Sequence, residues 1–386
     1  MTEKLYDQDS YLRSFTARVL HCEEGKQGWV VTLDRTAFFP EGGGQKGDIG
    51  LLGGRRVLDT HEKGGVISHY TDGPIPVGEL VTGELDWETR FRRMQNHSGE
   101  HILSGIVYRQ YGYQNVGFHL GDGDVTVDFD GELSREQLQE LELEANRAVW
   151  ENVPVRAYYP SPTALKRLKY RSKLDLTENV RIVRIPGYDL CACCAPHVKC
   201  TGSIGSIKIL DFMRHRGGVR LHMLCGRDAL EDHDLRYRST LEISGLLSAK
   251  QHETPAAVRR VSEELENTRQ QLLAARRKLL EVKAAALRAV EGNLCLFEAE
   301  MDGQSLRELV NAAMEKAGGV CAAFTGRDGD YKYVIGSRSI DLRRAAKTVN
   351  AAIGGRGGGQ PEMIQGSAAG TRAEIEAFFA AWKGEN

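Results

Sequence analysis

No run of about eighteen apolar residues occurs in this 386-residue chain, so the sequence offers no helix fit to cross a bilayer. Its opening, MTEKLYDQDS, has no apolar signal core. A strong overall charge is also missing, since 51 Lys and Arg against 53 Asp and Glu leave a formal −2. No H-E-x-x-H occurs, which disfavours a zincin protease, and no G-K-[ST] follows the glycine runs, which removes a P-loop. Eight cysteines are present, but four crowd around one histidine. That crowding fits reduced thiols and a metal better than a disulfide framework, and with the missing signal it implies a cytoplasmic protein.

What the chain does have is concentrated in two places. Residues 190–205 read LCACCAPHVKCTGSIG and supply Cys191, Cys193, Cys194, His197 and Cys200. Residues 95–105 read QNHSGEHILSG, with His97 and His101 in an H-x-x-x-H spacing. On a helix over 91–112, residues four apart share a face, so both imidazoles reach one ion. Ile102, Leu103 and Ile106 then anchor the opposite side, and Glu100 points elsewhere. Cys193 and His197, spaced C-x-x-x-H at a turn broken by Pro196, supply the second pair. Three imidazoles and a thiolate suit zinc better than magnesium or calcium. Four ligands close a tetrahedral ion and three leave a catalytic position open; spacing leaves both arrangements standing. His197 is the least permanent of the four, able to leave the metal and act on water. The competing readings are core histidines packed by chance and a separate structural zinc on Cys191, Cys193, Cys194 and Cys200. Between residues 156 and 220, thirteen Lys and Arg face four Asp and Glu. A local charge of that size favours an anionic substrate.

The organisation predicted is α+β. Residues 1–90 read as a small β-barrel, with strands at 15–23, 28–33, 47–52, 55–61 and 66–70. Residues 91–235 carry the His helix, strands on either side of the Gly121-Asp122-Gly123-Asp124 turn, a helix capped by Ser134, and the Cys/His segment. Residues 236–291 are helical. Val258, Val261, Leu265, Thr268, Leu272, Ala275, Leu279, Val282, Ala286 and Ala289 alternate 3-4 as coiled-coil a/d positions. An intrachain hairpin packed on 237–249 is the alternative. Residues 292–386 alternate strand and helix as an α/β domain, and its run 354–359 with Arg356 offers backbone N–H groups to a phosphate.

HSGEHILSG followed at long range by DLCACCAPHVKCTGSIG resembles the editing domain of alanyl-tRNA synthetase and its free-standing AlaX-type relatives. TAFFPEGGGQ (36–45) resembles their glycine-rich loop and GGVRLHMLCG (217–226) a following strand. GGRGGGQPEMIQG (354–366) is similar to the DHHA1 signature. The resemblance implies an editing domain of the threonyl/alanyl-tRNA synthetase second additional domain type, and Zn2+ as cofactor. It also implies deacylation of tRNA(Ala) mischarged with serine or glycine, and a DHHA1-like domain over 292–386. By the same resemblance Thr36 and Gln45 line the amino-acid pocket and act with His197 in catalysis. Gly42, Gly43 and Gly44 admit the tRNA terminus, and Arg356 contacts tRNA. A homodimer through the coiled coil and the C-terminal domain is expected. A whole synthetase is not, since no domain for ATP-dependent activation is found. Two other classes fit the residues: a non-catalytic tRNA-binding accessory factor with a structural zinc, and a metallohydrolase of small amino-acid esters.

Overall fold

The computed structural model describes residues 1–26, 28–121, 123, 125–172 and 179–384. They form two compact units, Met1–Glu242 and Ile243–Asn386. No helix among the described residues is long and apolar enough to cross a membrane.

The first unit begins with six strands: β1 (Ser14–Gly25), β2 (Gly28–Leu33), β3 (Gly50–Leu52), β4 (Arg55–Lys63), β5 (Val66–Thr71) and β6 (Leu80–Leu85). They close into a barrel in the order β1-β2-β5-β4-β3-β6. Alternation fills its interior, since Phe15, Ala17, Val19, Val31, Leu33, Val57 and Val81 are all buried. Five of these strands are legible in the sequence. The closing one, β6, escapes because Gly83 in LVTGEL looks like a breaker. A Cβ at Gly83 would sit 2.5 Å from the Phe15 ring, so the glycine is there to admit that side chain.

Helix α1 (Trp87–Tyr111) follows, capped by Asp86 accepting from Thr89 N–H and closed by Gly112 at φ 74°. It starts four residues earlier than the helix expected over 91–112, and its middle is buried on every side. Ile102, Leu103 and Ile106 sit in the core, each such burial contributing roughly 1.5–3 kcal/mol. Around it lie β7 (Asn115–Leu120), β8 (Val125–Phe129), α2 (Arg135–Glu151), β9 (Arg156–Tyr158), β10 (Ile182–Ile185), β11 (Asp189–Ala192), β12 (Ile207–His215) and β13 (Gly218–Cys225). The sheet order is β12-β13-β8-β7, with β9-β10-β11 as a separate three-stranded sheet. Ser134 caps α2 in a capping box with Gln137, as its sequence position predicts. Asp122 and Asp124 of the expected turn lie outside the described residues.

A buried ion pair fastens barrel to helix. Arg90 donates to Asp48 Oδ2 from Nε at 2.8 Å and to Ala37 O at 2.6 Å. One turn on, Arg93 donates to Gly47 O at 2.7 Å. Removing one partner would strand a buried charge, at about 3–5 kcal/mol. The 37–48 loop is thereby held against the turns of α1 that carry the histidines.

Helix α3 (Arg227–Leu246) runs across the boundary between units. The second unit holds α4 (Thr254–Ala286), β14 (Leu294–Glu298), α5 (Gly303–Ala313), β15 (Val320–Arg327), β16 (Asp330–Ser337), α6 (Leu342–Ala352), β17 (Gly355–Gln360), β18 (Met363–Ala368) and α7 (Arg372–Ala381). Its sheet order is β14-β15-β16-β18-β17. Helix α4 ends at Ala286, so Ala289 falls outside the expected seam. It buries Leu280 and Ala284, while Val258, Val261, Leu265, Leu272, Leu279 and Val282 of the seam are exposed. The glycine-rich run expected to cradle phosphate is instead the edge strand β17. Its pairing with β18 draws alternate backbone groups into the ladder, and Arg356 lies in that strand opposite Ser367.

Candidate metal centre

Helix periodicity sets His97 and His101 one turn apart, with ring centroids 5.4 Å from each other. Strand β11 delivers the chain to Cys193, and the turn at Pro196 swings His197 back towards them. Its ring centroid lies 4.9 Å from that of His97 and 4.6 Å from that of His101. Arg181 shapes this turn by donating from Nη1 to the carbonyls of Cys193 at 3.1 Å and Ala195 at 2.8 Å. The donor atoms of His97, His101, Cys193 and His197 all lie within 4.8 Å of one another.

The two sulfur–nitrogen separations have the length that a shared zinc ion sets. Cys193 Sγ stands 3.5 Å from His97 Nε2 and 3.4 Å from His197 Nε2. Zinc bonds of about 2.0–2.1 Å to nitrogen and about 2.3 Å to sulfur set N and S ligands about 3.5 Å apart. Chemistry and span both fit zinc.

Each imidazole is also turned the right way, by three different acceptors. His97 Nδ1 pairs with Gln45 Oε1 at 3.0 Å, His101 Nδ1 with Asp189 Oδ2 at 2.8 Å, and His197 Nδ1 with Ser98 Oγ at 3.0 Å. With Nδ1–H donating outward, every Nε2 lone pair faces the common point. Asp189 is itself gripped by Arg171, whose Nε reaches Oδ1 at 2.8 Å and Nη2 reaches Oδ2 at 2.9 Å. Burial opposes the Asp189 charge, yet His101 and Arg171 hold its carboxyl below the usual range. This Arg171–Asp189–His101 chain is not visible in the sequence as such. The only local signal is D-x-C-x-C, which sets Asp189 and Cys191 on one side of a strand leading to Cys193.

Electrostatics separates the cysteines. Burial raises the Cys193 thiol, but the imidazoles of His97, His197 and His101 around it hold it well below its ordinary value. Burial pushes Cys191 up to about 11. Cys193 is thereby poised as a thiolate, the form that binds metal. Burial likewise pulls His197 down to about 3, which keeps it a neutral ligand.

Three of these four groups, His97, His101 and Cys193, border a cleft of about 570 Å³, whereas His197 does not line it. Gly43, Gly44, Glu100, Phe118 and Tyr159 line it together with His97, His101 and Cys193. Glu100 therefore does not point elsewhere. Its Oε2 lies 4.0 Å from His101 Nε2, and Ser104 and Asn115 both donate to its Oε1. The signal was a polar helical stripe, His97, Glu100, His101 and Ser104, on a helix buried all round.

Gly42, Gly43 and Gly44 divide their work. Gly43 and Gly44 border the cleft, whereas a Cβ at Gly42 would meet Cys194 Sγ at an ordinary 3.6 Å. Gly44, at φ +82°, has no room for a Cβ, which would fall 2.5 Å from Phe118 O. Its absent side chain admits the protein's own backbone. Gln45 is buried against His97, and its Nε2 has no partner among the described residues. Thr36 is not among the residues lining the cleft. Its hydroxyl contacts His69 Nε2 at 2.8 Å and accepts from Phe38 N–H at 3.1 Å, fully buried at the barrel end.

The family models agree with this layout. Threonyl and alanyl tRNA synthetase second additional domain matches residues 180–221, tRNA synthetases class II (A) residues 9–89, and the DHHA1 domain residues 283–384. The alanyl-tRNA editing protein AlaX-L of Pyrococcus horikoshii is 31% identical, over 97% of this chain and 96% of its own. The alanine–tRNA ligases of Ignicoccus hospitalis and Archaeoglobus fulgidus are 28% and 30% identical over 93% and 95% of this chain. The chain spans only 40% and 42% of those ligases. With one relative alike from end to end and the editing-domain model lying across the Cys/His turn, this chain belongs to the alanyl-tRNA editing protein family.

Proposed function

We propose that this chain is a zinc-dependent deacylase that removes serine, and also glycine, from mischarged tRNA(Ala). The observation that carries the reading is the convergence of three imidazoles and one thiol, three of the four groups bordering an open cleft and each ring fixed by its own acceptor. His97, His101, Cys193 and His197 would hold the ion. Zinc bound there supplies Lewis acidity, which polarises an ester oxygen or acidifies water.

The remaining work belongs to side chains. Arg171 and Asp189 keep His101 in one tautomer and one orientation. Gln45 does the same for His97 and keeps an amide proton unspent, a donor suited to an ester oxygen. Glu100 gives the cleft a carboxylate beside the ligands. A cleft lined with polar acceptors rewards a seryl hydroxyl and gains nothing from an alanyl methyl. Thr36, with its hydroxyl engaged inside the barrel, acts by holding the 37–45 loop in place and does not touch the acyl group. The exposed a/d seam of α4 supports a homodimer formed through that helix.

The test is deacylation of Ser-tRNA(Ala) beside Ala-tRNA(Ala), with zinc assayed in the same sample. Loss of the seryl ester with the alanyl ester spared, abolished in Cys193→Ala together with the zinc, is the expected result. Tight RNA binding without turnover would leave an accessory factor. Equal cleavage of free seryl esters would leave a small-ester hydrolase.

A further inference from the structure

Arg171 also lines a second cleft, of about 770 Å³, that does not include the metal ligands. Arg109, Lys169, Arg171 and Arg184 face a single carboxylate there, Asp189. Arg171 is spent on Asp189, and Arg109 on Glu144. Among the described residues, Lys169 and Arg184 have no acidic partner, and both are exposed. Tyr188, whose hydroxyl donates to Glu151, and three further tyrosines complete the wall. Tyr108 is 44% exposed and Tyr158 36%, and the hydroxyls of Tyr108, Tyr158 and Tyr170 have no hydrogen-bond partner among the described residues.

A second observation is independent of the cavity. Strand register sets Arg184 directly opposite Arg156 across the β9–β10 pair, both of them exposed. Like charges directly opposite on a sheet are destabilising, and no acidic side chain offsets this pair among the described residues. Folding gains nothing from the arrangement. A polyanion laid across it would.

We propose that this cleft binds the unpaired 3′ end of the RNA substrate, with phosphates on Lys169, Arg184 and Arg156 and bases stacked on Tyr108, Tyr158 and Tyr170. This rests on the deacylase reading above and adds where the nucleotides upstream of the acylated one lie. Duplex RNA hides the faces of its bases, so rings presented in a basic groove select single strands. The Arg171–Asp189 pair is the partition between the two clefts, so a strand held in one is delivered to the rim of the other.

The experiment is fluorescence anisotropy of the full chain with a labelled, unacylated single-stranded RNA ending in CCA, titrated across salt concentrations. Tyr170→Ala weakens binding about tenfold. Arg184→Gln lowers the slope of log affinity against log salt by about 0.7. Arg214→Gln, which removes an exposed cation from another sheet, changes affinity less than twofold. A blunt-ended duplex of the same length binds at least about tenfold more weakly than the single strand. Equal effects of Arg184→Gln and Arg214→Gln, or equal affinity for the duplex, overturn the proposal. Because the probe carries no ester, failure here leaves the deacylation result untouched, and failure of deacylation leaves this binding measurable.

Discussion

The tetrapeptide Gly-Gly-Gly-Gln occurs twice in this chain, at 42–45 and at 357–360, and folds in two unrelated ways. In the first unit it is a tight turn, with Gly42 and Gln45 bonded backbone to backbone and Gly43 and Gly44 at positive φ. In the second it is part of the edge strand β17, and none of its glycines has positive φ. The flanks decide. Asp48 and Arg90 pin one end of the first copy to α1, so the loop must fold back within a few residues. Pro361 and Glu362 turn the second copy onto β18, so it stays extended. Identical residues thus give a wall of the metal cleft in one place and sheet edge in the other. Glycine permits both conformations and selects neither.

The largest expected difference between the two units is their response to acid. Burial pulls His69, inside the barrel, down to about 4. The unfolded chain takes up that proton below about pH 6.5, whereas the folded one refuses it until about 4. Stability is therefore complete above 6.5 and falls by about 3 kcal/mol as pH drops towards 4. The only histidine in the second unit, His252, is exposed. Hydrogen exchange read separately in each unit should show the loss in the first alone, diminished in His69→Gln; equal losses would break the contrast.

Gly44→Ala comes next. A side chain at φ +82° that also meets a carbonyl at 2.5 Å should cost about 2–3 kcal/mol and lower the urea midpoint. Gly358→Ala, with nothing within 4 Å, should stay within about 0.5 kcal/mol. Gln45→Leu removes the acceptor of His97 Nδ1, and chelator competition should find zinc bound about tenfold to a hundredfold more weakly. Gln360→Leu, exposed on its strand, should leave zinc affinity unchanged. Matching effects of the two glutamine variants would mean that the first tetrapeptide plays no part at the site.

The convergence of His97, His101, Cys193 and His197 is legible because two short spacings carry it, i to i+4 on a helix and C-x-x-x-H at a proline turn. The barrel strands were legible by alternation until Gly83 interrupted the pattern. What escaped depends on contacts distant in sequence. Asp189 and Arg171 are eighteen residues apart and meet a ring eighty-eight residues upstream of Asp189. Strand β17 was hidden because glycine has no side chain to show a period of two. The place of Thr36 in its motif points to the amino-acid pocket, but its hydroxyl is occupied by His69 of barrel strand β5, thirty-three residues away. Glu100, one residue before His101, is expected to point elsewhere, but the middle of α1 has no exposed face and Glu100 borders the cleft.

That last feature bears on how the protein is made. A helix whose ligands and polar stripe are inward has little reason to form before its surroundings exist. Gly99, between the two ligand histidines, has no side chain because Cys225 of β13 fills that place; an added Cβ would fall 2.3 Å from its Sγ. The site therefore draws on the 37–48 loop, on residues 189–197 and on a strand ending at residue 225. During synthesis these segments can pack together in full only after that strand has left the ribosome.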